Sequence, residues 1–116
     1  MTFDVEIMLR NDARVFTETM AHGVDEADWT VADVEAVLMQ ILGALDRRVN
    51  PAAAPDRQRS LRGITWIVHT GPAGPVLALE IHSASAVAGP FALAADRLDD
   101  MVGRVMRGAA PAPVVH

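Results

Sequence analysis

Glu80 and His82 stand two residues apart in Pro75 to Ser83, a stretch whose composition suits a β-strand. On a strand the two side chains share one face, about 6 to 7 Å apart. That spacing fits general acid–base work, or two ligands of a metal whose other ligands come from elsewhere. The plainer explanation is a polar pair on a solvated or interface face. His22 precedes Asp25, Glu26 and Asp28, carboxylates close enough in sequence to attract a hard cation. They lack the turn glycine and closing glutamate of a calcium loop, so they also read as acids at the positive end of a following helix. Glu80, His82 and His22 are therefore the candidate ligand-binding residues, with no metal or cofactor expected.

Arg57, Arg59 and Arg62 make a basic segment fit to contact a phosphate or an acidic partner, although a solvated linker explains the same residues. Ser60, Ser83 and Ser85 are nucleophiles by type, but none stands in a Gly-x-Ser-x-Gly elbow. The glycines at 71, 74 and 89 neighbour prolines, which remove backbone donors, so they read as turns and not as phosphate cradles.

Composition narrows the classes further. The chain has 116 residues, 51% of them hydrophobic and 22% charged, which suits one folded domain and is too apolar for a disordered chain. It has no Cys, which excludes disulfides, thiolate metal sites and cysteine nucleophiles. All ten basic residues are Arg, so Schiff-base chemistry is excluded too. A net charge of −5 and an aromatic content of 4% argue against nucleic acid, which needs basic surface and stacking rings. No run approaches the roughly 18 apolar residues that span a bilayer. Met1 to Glu6 carries acids where a secretory signal has a basic flank, so a cytoplasmic location without membrane contact is expected.

The residues around these candidates set the elements. Phe3, Val5, Ile7 and Leu9 alternate with polar neighbours, the period of a half-buried strand. Asn11-Asp12 suits a tight turn, and Arg14 to Met20 is the returning strand, with Phe16 opposite Ile7 and Met20 opposite Phe3. Val31, Val34, Val37, Leu38, Ile41, Leu42, Leu45 and Val49 form one helical stripe, capped by Thr30 and ended by Asn50-Pro51. Residues 50–60 read as an exposed linker. A second hairpin spans Leu61 to Ser83 around Gly71-Pro72-Ala73-Gly74, pairing Val68 with Leu77 and Trp66 with Leu79. Residues 84–91 read as a loop, and a helix from about Leu93 to Arg107 precedes a frayed tail.

The expected architecture is a single α+β domain over 1–108, built as hairpin-helix 3–49 and hairpin-helix 61–108, with residues 109–116 as a flexible tail. Its order is ββαββα: a four-stranded antiparallel sheet with two amphipathic helices on one face. The other face then carries Ile67, Val76 and Ala78, the candidate interface residues. The expected function is a small non-enzymatic binding or assembly module, a homodimer formed through an edge strand or the free face, or a partner of another protein. The alternative is a small-ligand-binding protein or enzyme whose pocket uses Glu80 and His82.

Overall fold

The computed structural model describes residues 1–52, 61 and 63–109. Strands β1 (Thr2–Leu9) and β2 (Val15–Ala21) are followed by a short 3-10 turn and helix α1 (Val31–Val49). Strands β3 (Thr65–Gly71), β4 (Gly74–Ile81) and β5 (Ala84–Gly89) then lead to helix α2 (Ala95–Ala109). The linker beyond Ala52, with Arg57, Arg59 and Arg62, and the tail from residue 110 lie outside the described residues.

The α+β class and both helices match the sequence reading, but the sheet has five strands in the order β2-β1-β5-β4-β3, every neighbouring pair antiparallel. The strand order is therefore ββαβββα, and residues 84–89 form a strand where a loop was expected. Ala, Ser and Gly have little intrinsic strand preference, which hides the element in sequence. The period is nonetheless two. Ala84, Ala86 and Ala88 are buried while Ser85, Val87 and Gly89 lie on the opposite face. β5 lies at the middle of the sheet, and α1 packs against it, so short side chains let the helix approach closely.

Both expected hairpin registers are present: Ile7 pairs with Phe16, Phe3 with Met20, Trp66 with Leu79 and Val68 with Leu77. α1 begins and ends where its signals stand. Thr30 Oγ1 accepts from the Asp33 backbone N–H, while the Asp33 carboxylate accepts from the Thr30 N–H, a reciprocal cap. At the other end Asn50 is not left-handed. Its φ is −128°, and its backbone and side-chain nitrogens both donate to Asp46.

The core fills the space between the helices and one sheet face. Val5, Ile7, Ala86, Ala88, Leu77 and Leu79 from the strands meet Val34, Leu38, Ile41 and Leu45 of α1 and Leu98 and Val102 of α2 in one apolar cluster. Trp29, expected beside the first helical turn, is buried, donates Nε1–H to the Val24 carbonyl at 2.9 Å and packs against Phe91 at 5.3 Å between ring centres. Trp66 is only partly buried at the rim of this core. Among the described residues no helix is long and apolar enough to cross a membrane.

Candidate functional site

With both helices on one face, no described residue covers the other face of the sheet. Pairing fixes which side chains it presents. One row across the strands reads Thr17, Glu6, Val87, Ala78 and Ile67, and the next reads Val15, Met8, Ser85, Glu80 and Thr65. Ile67, Val76 and Ala78 all belong to this face, with Ile67 60% exposed on the outermost strand. Val15 at 53% and Met8 at 39% share it, and these three are the large hydrophobics left exposed among the described residues. Beside Ile67 a cleft of about 250 Å³ runs between Thr65, Ala78, Glu80, Ser85 and Val87.

The same face is acidic. Asp4, Glu6 and Glu80 project from it, and no Arg occupies an outward position on any of the five strands. Asp4 is held in place by Thr19, whose Oγ1 donates to Asp4 Oδ1 at 2.8 Å.

Glu80 and His82 come together at the turn joining β4 to β5, where both line a cleft of about 390 Å³ with Arg10, Met8 and Ser85. His82 lies one residue past the end of β4. Residues bearing a carboxylate, an imidazole and a guanidinium thus line one opening. Arg10 is fixed there by its backbone N–H, which donates to the Ser83 carbonyl at 2.9 Å.

His22 is elsewhere. β1 runs from Thr2, beside Ala21, to Leu9, beside Ala84, so about 23 Å of strand separates His22 from the Glu80 cleft. Its Nε2 lies 2.9 Å from Asp33 Oδ1, and its ring meets Trp29 edge-on at 6.1 Å. Asp33, not the acidic run at 25–28, is the carboxylate at the start of α1. The Thr30 backbone N–H, with the His22 hydrogen bond adding to it, holds Asp33 below the usual carboxylate range. Glu26 ties two connections together by accepting from the Ala92 N–H, and Arg97 donates to the carbonyls of Ala27 and Trp29. These contacts make the region around His22 a packed junction. Among the described residues no three His, Asp or Glu side chains gather as a metal site.

Met8, Val15, Val87 and Arg10 are the site residues that sequence reasoning passed over. The period-two pattern of β1 already sets Met8 with Asp4 and Glu6 on the polar side, and that signal was available. Val87 was hidden by reading its strand as a loop. No family model matches the chain, and searches of curated proteins and of solved structures return no match.

Proposed function

We propose that the protein is a non-enzymatic assembly module that joins a second copy of its own chain through its sheet, by an edge strand or by the face opposite the helices. The carrying observation is the segregation of exposed apolar side chains: Met8, Val15 and Ile67 all stand on the face that no described residue covers. Exposed hydrophobics scattered singly are ordinary, whereas three on one sheet face, Met8 beside Val15 on β1 and β2 and Ile67 on the opposite outermost strand β3, point to that sheet as an interaction surface. Val76, Ala78 and Val87, partly buried between the strands, extend it. A net charge of −5 fits a protein without a nucleic-acid partner.

The test is sedimentation of the purified protein beside Ile67→Glu. A wild-type dimer that becomes monomeric in the variant, with its circular dichroism unchanged, supports the reading. Equal masses for the two proteins remove Ile67 from any interface.

A second reading is favoured by one observation, the convergence of Arg10, Glu80 and His82 on the larger cleft. Those groups suit a small polar ligand bearing a negative charge. A native mass spectrum of the protein as purified reports extra mass if such a ligand is retained, and the double variant Glu80→Gln, His82→Asn then loses it. Retention of the extra mass by that variant contradicts this reading.

A further inference from the structure

We infer that two copies join edge to edge, β3 against β3, in an antiparallel pairing centred on Ile67 that fuses two five-stranded sheets into one. This rests on the self-assembly reading and names the surface and the register it uses.

The two sheet edges are built differently. On β2, Glu18 points to the helix side, where Arg47 and Arg48 donate to its carboxylate at 3.0 and 3.3 Å. Gln40 Nε2 donates to the outer carbonyl of Ala21 at 3.0 Å. An inward charge and a capped carbonyl are the devices by which an edge strand refuses a further strand. β3 has neither. Its seven residues, Thr65–Gly71, include no Asp, Glu, Arg or Pro, and among the described residues no side chain bonds to its backbone. A strand of that length and character is a template for another strand.

The backbone pattern says which groups are on offer. Arg10 and Ser83 lie opposite one another and are joined through the Arg10 N–H, so they are a hydrogen-bonded pair. Alternation carried across the antiparallel ladders gives Thr65, Ile67 and His69 their bonds to β4. Trp66, Val68 and Thr70 direct their N–H and C=O groups to the open edge.

A strand meeting itself about a two-fold axis at Ile67 sets Trp66 opposite Val68 of the second copy, and each such pair exchanges two hydrogen bonds. Ile67 then faces Ile67 at a non-hydrogen-bonded site, where side chains approach most closely. The outward row Val87, Ala78, Ile67 runs on into Ile67, Ala78, Val87 of the second copy as one apolar stripe. Thr65 faces His69, so no like charges oppose across the junction.

Charge selects this arrangement over face-to-face stacking. Each copy carries a net charge of −5, and stacking brings together two faces that each bear Asp4, Glu6 and Glu80, with no Arg at an outward position on any strand. Edge pairing keeps those acids on one continuous outer face, clear of the contact.

The chain has no Cys, so single substitutions give clean cross-linking reporters. Ile67→Cys should close to a covalent dimer under mild oxidation, because the ~4.5 Å between Cα atoms at a non-hydrogen-bonded pair lies within disulfide reach. Val15→Cys, comparably exposed but on the β2 edge, is the control and should cross-link at least about tenfold more slowly, as random encounters allow. Circular dichroism of both variants establishes that they fold. A dimeric wild type whose Ile67→Cys variant does not cross-link, or whose Val15→Cys variant cross-links as fast, overturns the β3 pairing while leaving self-assembly standing. A monomeric wild type overturns both.

Discussion

His22 Nε2 and Asp33 Oδ1 meet at 2.9 Å, joining the end of β2 to the first turn of α1. The same carboxylate closes the cap with Thr30, so one acid serves both the chain's entry into the helix and the junction beside Trp29. Its ionised form is favoured in the folded protein, chiefly by the Thr30 N–H and then by His22.

A pH dependence follows from that depressed value. A group whose folded pKa lies below its unfolded value adds stability above the unfolded pKa, near 3.9 for Asp, and loses it as pH falls through the folded value. The melting temperature should therefore drop below pH ~4, and Asp33→Asn should melt lower at pH 7 with a shallower acid limb. Asp12, held at about 2 by hydrogen bonds from Arg14, belongs to an exposed pair, so Asp12→Asn should leave the melting temperature almost unchanged. Melting curves from pH 7 to pH 2.5 on the three proteins check both statements; parallel curves for wild type and Asp33→Asn contradict the first.

Trp29 is the largest side chain in the core, lodged against Phe91 with its indole N–H satisfied. Trp29→Ala should cost about 3 to 5 kcal/mol in urea unfolding, the range for emptying a buried aromatic site. Trp66 remains as the fluorescent reporter. A loss under about 1 kcal/mol places Trp29 outside the core.

β5 offers a test of why its residues are small. Ala86 is fully buried between β1 and β4 on the helix side, whereas Val87 faces outward. Ala86→Leu should destabilise by about 1 to 3 kcal/mol through overpacking. Val87→Thr, on the open face, should change stability by less than about 0.5 kcal/mol. Similar effects at the two positions contradict the alternation.

Glu18 guards the β2 edge through its inward position and its two arginine partners. Glu18→Val should cost little stability, because ion pairs this exposed contribute about 0 to 1 kcal/mol. It should, however, open a second pairing edge, and light scattering should show species larger than the wild type. An unchanged size distribution removes Glu18 from that role.

Much of the fold is readable from the residues wherever several local signals agree. α1 was legible end to end because a long stripe, a Thr cap and Asn-Pro agree on one answer. Both hairpin registers were legible because large residues must share a face, and one slipped residue exposes them. β5 was not, since an Ala-Ser-Val-Gly strand has weak propensity and is specified by its neighbours and by the helix above it. That omission hid which strands are edges, and it blurred the site. Ile67, Val76 and Ala78 were placed on the open face by phase alone. The contrast between the β2 and β3 edges needed the strand order. Glu80 and His82 were readable as neighbours, whereas the separation of His22 from them depended on the direction of β1.

The most direct measurement is the mass of the wild-type protein in solution, by native mass spectrometry and sedimentation over a micromolar concentration series. Self-assembly through the open sheet predicts a species of twice the 12.4 kDa chain mass that persists as the protein is diluted and carries no added ligand. A bare 12.4 kDa monomer at every concentration contradicts it.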